Sequence, residues 1–283
     1  MNILGIGQSG CRLAQSFQEY PQYKVHFIDS DPIMDHKNFI KVPSQATHED
    51  YEANYKNLNL KKIKGDVAVV LIGTSKISGI LLRVLQQLKN RKLTIIYVKP
   101  DPSTSTEEQI MIERLNFGVL QQYTRSNLIS NLFIISNEQV EKALDNVSIS
   151  NYWNDINKVI SSTFHMLNVF NNTEPILTNL SEPVQSCKIC TLGVVGYDSL
   201  TEKIFYDLQK TRMKKYFFGI TKDTLDEEKD LLDKIRTYVK EKSDKEERCT
   251  SCFAIYMTSY EQNYVYTAHY ASKIQEERVV DNL

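Results

Sequence analysis

A chain of 283 residues can form one large domain or two medium ones, and its 34 Lys and Arg nearly balance its 35 Asp and Glu. This balance argues against a dedicated nucleic-acid surface, so we expect no nucleic-acid partner. No apolar run approaches the roughly 20 residues of a membrane helix, and the chain begins with a buried-type strand rather than a signal peptide. These features predict a soluble, cytoplasmic protein without a membrane span.

Short strands alternate with helices through the first 150 residues. The strands are apolar throughout and rich in β-branched residues, which is typical of a parallel sheet buried on both faces. The predicted strands are 2–5, 23–28, 66–72, 93–98 and 132–135, and the predicted helices are 13–20, 80–90, 107–123 and 138–144. This order predicts a doubly wound, Rossmann-like α/β domain over residues 1–150, of the kind that binds nucleotides.

A long helix and a smaller unit follow. Apolar residues recur at helical spacing from 151 to 171, and Glu174-Pro175 marks the end, so residues 151–180 should form a central helix and its following loop. Residues 185–283 should form a smaller α+β domain. Its predicted strands are 191–195, 216–220, 251–258 and 264–272, and its predicted helices are 199–211 and 224–242, the second started by Thr221. The polar tail from Lys273 is expected to fray.

A glycine-rich turn follows the first strand. Gly5, Gly7 and Gly10 make a G-x-G-x-x-G pattern, in which glycines let a ligand approach the backbone and the next helix points its N–H groups at an anion. An acid about 20 residues further on, here in Asp29-Ser30-Asp31, can hold a ribose. The pattern therefore predicts a phosphate or nucleotide site, and the alternative is a tight turn that binds nothing. Its candidate residues are Gly7, Gln8, Ser9, Gly10, Cys11, Asp29 and Asp31.

Four of the five cysteines form two C-x-x-C pairs, Cys187 with Cys190 and Cys249 with Cys252. Such pairs can supply four thiolates to zinc. Each pair, however, begins a predicted strand, where residues three apart face opposite sides, and neither pair contains Gly or Pro to make a turn. We therefore expect reduced, packed thiols and no metal site.

The order of elements, together with several local motifs, resembles the tubulin/FtsZ superfamily over nearly the whole chain. Residues 7–11 (GQSGC) resemble the G-Q-x-G phosphate loop of tubulins, and residues 27–31 (FIDSD) resemble the family's strand ending in N-T-D. Residues 66–79, followed by a helix and by 95–100 (IIYVKP), resemble the stretch around the tubulin signature. Residues 132–137 (LFIISN) resemble the L-I-V-I-x-N strand of FtsZ proteins.

The resemblance implies a GTP or GDP ligand, with Mg²⁺ as a possible companion, and head-to-tail self-association into filaments. Residues 152–157 (YWNDIN) fall where FtsZ proteins have F-x-x-x-D-N, which implies that Tyr152 stacks on the base and Asn157 bonds its edge. Glu107 matches the family's sugar-binding Glu, although no Arg matches its partner. The signature loop implies phosphate contacts from Gly73, Thr74, Ser75 and Lys76.

Two departures from the family pattern predict weak or absent hydrolysis. The signature G-G-G-T-G-[ST]-G appears as residues 73–79 with two glycines, and Ile77 places a β-branched side chain where the family has backbone alone. Lys76 either compensates with its charge or is a solvated loop lysine. The family's catalytic motif N-x-D-x-x-D is matched by residues 178–184 (TNLSEPV), which keep Asn179 and have Glu182 as their one carboxylate. The chain is thus at most a weak GTPase.

Two other functions stay open at this point. A structural or interaction protein on the same fold would need no nucleotide, and the degenerate loops favour it. An NAD(P)-dependent oxidoreductase would have the same glycine pattern and Asp29, but no His, Lys or Tyr proton donor lies in a recognisable arrangement. Trp153 is expected to be a core residue rather than a ligand contact.

Overall fold

The N-terminal part of the sheet is parallel, as predicted. The protein is described here from a computed structural model, which covers residues 1–31, 36–144, 148–244 and 248–276. The parallel strands are β1 (Asn2–Ile6), β2 (Lys24–Asp29), β3 (Phe39–Lys41), β4 (Val67–Ile72), β5 (Leu93–Lys99) and β6 (Asn131–Ser136). They lie in the order β3-β2-β1-β4-β5-β6, so the chain winds outward in both directions from β1.

Helices cover both faces of this sheet. They are α1 (Gly7–Ser16), α2 (His48–Asn54), α3 (Leu81–Leu88), α4 (Glu107–Arg125), α5 (Asn137–Ala143) and α6 (Tyr152–Phe170). Successive strand residues point to opposite faces, so Ile3 packs with α1 and α6 whereas Leu4 packs with α2, α3 and α4. The uniformly apolar strands of the sequence are explained by these two cores, and the predicted α/β class is confirmed.

The long central helix α6 agrees with the predicted range to within one residue at each end. Its buried side chains, among them Ile156, Ile160 and Phe164, face α1 and the sheet. At its last residue, Phe170 stacks on Phe217 with ring centroids 5.4 Å apart. The helix therefore packs against the elements on either side of it in sequence.

The remaining strands continue the same sheet. They are β7 (Leu177–Thr178), β8 (Ile189–Val195), β9 (Glu202–Ile204), β10 (Thr211–Ile220), β11 (Thr250–Met257) and β12 (Tyr264–Ala271), with helices α7 (Lys222–Glu227) and α8 (Leu231–Asp244). Strand β8 pairs in parallel with β6, and the order continues β8-β12-β10-β11-β7. Most of these pairings are antiparallel, which gives the mixed α+β character expected of this part.

The predicted helix at 199–211 is wrong. Leu200 and Lys210 both adopt left-handed backbone conformations, with φ of 52° and 55°, and no α-helix can run through them. Between them, Glu202–Ile204 pairs with β8, and Phe205 is completely buried. The apolar residues that suggested a helix instead anchor a short strand and a loop against the core.

Other boundaries also differ from the predictions. The helix predicted at 224–242 is two helices, α7 and α8, although Thr221 caps the first of them by accepting a hydrogen bond from the Thr224 N–H. Helix α1 begins at Gly7 rather than residue 13, because the glycine turn itself is helical. The tail does not fray at its start, since Gln275 is buried, and residues 277–283 lie outside the described residues.

Candidate functional site

A cleft of about 400 Å³ lies at the carboxyl ends of the central parallel strands. Ile72 ends β4 and Val98 lies near the end of β5, and both line the cleft together with Ser9, which follows β1. This is the edge at which open α/β sheets usually bind ligands. Four predicted site residues line the cleft: Ser9, Thr74, Tyr152 and Asn157.

A second cleft is larger, about 560 Å³, and is lined by tyrosines between α6 and the β11–β12 connection, including Tyr20, Tyr260 and Tyr264. None of the sixteen predicted site residues lines it. The smaller cleft is therefore the candidate site, because the glycine turn, the signature loop and α6 meet there.

The glycine turn has the shape that its sequence requires. Gly7 has φ of +70°, which a residue with a side chain rarely adopts. A Cβ on Gly10 would lie 2.7 Å from the Val70 carbonyl oxygen, so α1 can approach β4 only with glycine there. Gln8 and Ser9 are exposed at the helix start, where free N–H groups favour an anion. Gly10 therefore has a packing role, and its substitution would test folding rather than binding.

The other residues predicted around this turn point elsewhere. The Cys11 thiol is fully buried and donates to the carbonyl of Gly5 at 3.5 Å, and burial raises its pKa to about 12. The Asp29 carboxylate is also buried, and it accepts a hydrogen bond from the Ser30 N–H at 2.7 Å. Burial raises the pKa of Asp29. Neither these two nor the exposed Asp31 lines the cleft.

Residues 73–79, which we call the signature loop, are held by side chains rather than by glycines. The Asn116 amide on α4 donates to the Gly73 carbonyl at 2.9 Å and to the Ser78 hydroxyl at 2.8 Å. Ile77 is buried, and its Cγ2 lies 2.9 Å from where a Cβ on Gly7 would be. The loop thus packs directly against the glycine turn, and Thr74 is its one residue on the cleft wall.

Lys76 is engaged with an acid of the same protein. Its ammonium lies 3.3 Å from a carboxylate oxygen of Glu108 on α4, and both side chains are exposed. Lys76 and its neighbour Ser75 are absent from the cleft lining. Of the two interpretations left open by the sequence, the solvated loop lysine agrees better with this placement.

The first turn of α6 forms the opposite wall. The Tyr152 hydroxyl donates to the Glu141 carboxylate at 2.9 Å, and burial together with that carboxylate raises the pKa of Tyr152 to about 12. The tyrosine is therefore protonated at neutral pH and its ring is fixed. Trp153 packs edge-on against Tyr152 with centroids 5.0 Å apart. The expectation that Trp153 is a core residue is wrong, because its side chain is 55% exposed and lines the cleft.

Several cleft residues were missed by sequence reasoning. Asp101 lines the cleft two residues after β5, whereas the predicted sugar contact Glu107 lies at the exposed start of α4 and outside the lining. Hydrogen bonds from Ser103 lower the pKa of the Asp101 carboxyl, so it is ionised at neutral pH. Its position just past a parallel strand was a usable signal. Besides Ile72 and Val98, the other missed lining residues are Arg12, Pro100, Thr104, Ser105, Gln109, Asn137, Glu138, Glu141 and Trp153.

The predicted catalytic pair lies in the connection between α6 and β8. The Asn179 amide oxygen accepts a hydrogen bond from the Phe253 N–H at 2.7 Å, which ties the connection to β11. Glu182 is exposed three residues further on. Neither residue lines the cleft of its own chain.

The four cysteines of the two C-x-x-C motifs form no disulfides, and their thiols are packed in the core. Cys187, Cys190, Cys249 and Cys252 are all at most 8% exposed, and burial raises the pKa of Cys190 above its ordinary value. Within the described residues, no three His, Cys, Asp or Glu side chains are grouped so that they hold a metal ion.

We predict that the purified protein contains no stoichiometric zinc, because the four thiols are packed in the core and no described group of three ligands is placed to hold a metal ion. Elemental analysis after dialysis should give far less than one zinc per chain. About one zinc per chain, together with a lower melting temperature after chelation, would show that the cysteine pairs do bind metal.

Comparison with solved structures identifies the fold. The chain matches an FtsZ dimer from M. jannaschii with a TM-score of 0.68, 11% identity, and coverage of 95% of this chain and 87% of that one. It matches a GTPγS-form protofilament of TubZ from Bacillus thuringiensis serovar israelensis (TM-score 0.69, 14% identity, coverage 96% and 86%). It also matches the GTPγS-bound protofilament of CetZ2 from Haloferax volcanii (TM-score 0.67, 11% identity, coverage 97% and 94%).

By sequence, no protein-family model and no curated protein matches the chain. In the part that the structure describes, no helix is both long and apolar enough to cross a membrane. Identities of 11–14% establish likeness of fold rather than of activity. The resemblance drawn from the motifs is thus confirmed at the level of architecture, and the chain has the tubulin/FtsZ fold.

Proposed function

We propose that the protein binds a guanine nucleotide in the cleft and associates head to tail into cytoskeletal filaments in the cytoplasm, with weak or absent GTP hydrolysis. The observation that carries the proposal is the meeting of Ser9, Thr74, Tyr152 and Asn157 around one cleft. These residues come from three segments up to 148 positions apart, and the family resemblance assigns them to phosphate and base contacts.

The cleft fits such a ligand in several respects. The fixed ring of Tyr152 offers a stacking surface, Asn157 offers a donor and an acceptor, and the start of α1 offers N–H groups to a phosphate. Asp101 offers a carboxylate to a sugar hydroxyl. Because no described acidic cluster holds a metal by itself, Mg²⁺ would be bound mainly through phosphate oxygens.

The ends of α6 support head-to-tail association. Ile149 is 96% exposed just before the helix, whereas Ile176 and Val184 are 59% and 67% exposed after it. The helix has 19 residues and is therefore about 28 Å long, so these apolar residues lie toward opposite ends of the molecule. A contact between two different surfaces of identical chains repeats without closing, and it therefore builds a filament. The solved TubZ and CetZ2 relatives are protofilaments, which agrees with this geometry.

We predict that Ile176→Ser and Val184→Ser each reduce self-association, because each removes exposed apolar area from the proposed contact. Sedimentation velocity with GTP should show the wild type in large assemblies and the double variant mainly as monomer. Met111→Ser is the matched control, since Met111 is 58% exposed on α4. Equal assembly of all variants would exclude this surface, and a monomeric wild type at every concentration would exclude filaments.

Base choice tests the nucleotide part of the proposal. We expect GTP to bind at least about 10-fold more tightly than ATP, because the wrong base leaves polar groups of the site unpaired. Asn157→Ala should remove most of this preference. Asn154→Ala is the control, because Asn154 is exposed on the same helix and does not line the cleft. Calorimetric titration measures both, and equal affinity for GTP and ATP in the wild type would contradict the guanine pocket.

The assembly and titration experiments also distinguish the proposed function from two alternatives. A structural protein without a nucleotide is favoured by the side-chain bonds of the signature loop, and it predicts assembly that is indifferent to any nucleotide. An NAD(P)-dependent oxidoreductase predicts that NAD binds better than GTP. The buried Asp29, already bonded to Ser30, disfavours the second alternative, because it offers no exposed carboxylate to a ribose.

A further inference from the structure

Part of the backbone of the signature loop already forms hydrogen bonds within the protein. The Ser78 N–H donates to the Ser75 carbonyl at 2.9 Å, within a short 3₁₀ helix at Lys76–Ile80. The Gly73 carbonyl and the Ser78 hydroxyl both accept from Asn116. A phosphate cradle needs N–H groups that point outward and unpaired, so the Ser78 N–H is not available to a second or third phosphate.

The signature loop is also closely packed against its neighbours. Ile77 packs against Gly7, and a Cβ on Gly79 would collide with the carbonyl of His48 at the start of α2. Gly79 is therefore glycine because the loop backs onto α2, and not because a ligand approaches it. Lys76, the loop's only cation, is paired with Glu108.

The charge of the cleft also disfavours a second and a third phosphate. Its lining contains three carboxylates, Asp101, Glu138 and Glu141, and one cation, Arg12. Each additional phosphate adds at least one negative charge, and like charges in a shared site repel. The remaining favourable place for a phosphate is the start of α1 at Ser9.

We propose that the cleft recognises a guanine nucleoside with a single phosphate, so that the second and third phosphates add little affinity. This inference rests on the proposed guanine-nucleotide site. It makes the bound state nearly the same for the mono-, di- and triphosphate, and it removes the γ-phosphate as a signal for assembly.

Calorimetric titration of the full chain with GMP, GDP and GTP, at fixed Mg²⁺ and salt, tests the inference directly. The three dissociation constants should agree within about 10-fold, which corresponds to less than 1.4 kcal/mol. If GDP or GTP binds more than 10-fold tighter than GMP, the inference is overturned while the proposed function stands. If none of the three binds, the proposed function itself fails.

Two surface variants give a second test. Lys76→Met should change the affinity for GTP less than 2-fold, because Lys76 is committed to Glu108, whereas a 10-fold loss would place Lys76 on a phosphate. Ser9→Asp should weaken GMP, GDP and GTP by the same factor, at least 10-fold, because it places a carboxylate at the single phosphate position. Weakening of GDP and GTP alone would overturn the inference. Both residues are exposed, so folding should be unaffected.

Discussion

The purified protein is expected to release phosphate from GTP at least about 100-fold more slowly than an ordinary FtsZ-like enzyme, which is the scale of losing one catalytic group. In-line attack on a γ-phosphate requires a positioned water and stabilisation of the developing charge. The segment 178–184, which matches the catalytic motif, has one carboxylate, Glu182, and its Asn179 is bonded to β11. In the signature loop, the Ser78 N–H is bonded to the Ser75 carbonyl and Lys76 is paired with Glu108.

Phosphate release should be measured over a range of protein concentrations, for the wild type and for Glu182→Ala. Glu174→Ala is the matched control, because Glu174 is exposed in the same connection but outside the catalytic motif. A rate that rises with protein concentration and falls only in Glu182→Ala would contradict the prediction. It would show that Glu182 acts across a subunit contact. With slow hydrolysis, and with no γ-phosphate signal for assembly, filaments should be long-lived.

The alternating strands and helices of the first 170 residues could be predicted because their signals are local. Each strand is a short apolar run, and each helix has a clear periodicity, so neither depends on distant contacts. Ser9, Thr74, Tyr152 and Asn157 were predicted from the glycine turn and from the family motifs, and there is a physical reason why they line one cleft. They follow strand ends or begin α6, and the carboxyl ends of parallel strands meet at one edge of the sheet.

The rest of the site depends on which partner each side chain meets. Lys76 was a reasonable phosphate ligand in sequence, but Glu108, 32 residues away, is close enough to pair with it. Asn116 lies inside a helix that was predicted, yet nothing in its surroundings in sequence indicates that its amide holds Gly73. Likewise, Cys11 follows the glycine turn but faces the core, because the orientation of α1 is set by its packing on β1 and β4.

The helix prediction at 199–211 was wrong for the same reason, because contacts between residues distant in sequence decide the structure there. Its central acid, Glu202, looks like an exposed helical residue in sequence. In the structure its carboxylate is 12% exposed and lies 2.9 Å from His269, on a strand 67 residues later. Polar contacts of this kind, between residues far apart in sequence, override local propensity. They cannot be predicted from the periodicity of apolar residues.

Replacing Glu202 should have the largest effect on stability of the substitutions that we predict. Its carboxylate lies 2.8 Å from the Lys242 ammonium and accepts a hydrogen bond from the Tyr216 hydroxyl at 3.1 Å, in addition to its contact with His269. Glu202→Ala should lower the free energy of unfolding by about 3–5 kcal/mol, because it leaves the Lys242 ammonium, on a side chain that is 17% exposed, without its carboxylate partner. The melting temperature should fall by roughly 10 °C, measured by thermal unfolding at pH 7. Glu228→Gln is the control, because Glu228 pairs with Lys234 at the surface and should contribute less than about 1 kcal/mol.

The same carboxylate should make stability depend on pH in a defined window. Burial alone would raise the pKa of Glu202, but the hydrogen bonds and charges of His269 and Lys242 outweigh it and lower the pKa from 4.5 to about 2. Because the folded pKa is below the unfolded one, this stabilisation is complete above pH 4.5 and is lost as the pH falls toward 2. The shift corresponds to about 3 kcal/mol. Glu202→Gln keeps the shape but cannot ionise, so the stability difference between wild type and variant should shrink steadily between pH 5 and pH 2. A difference that stays constant across that range would mean that packing, and not the charge of Glu202, stabilises this part of the sheet.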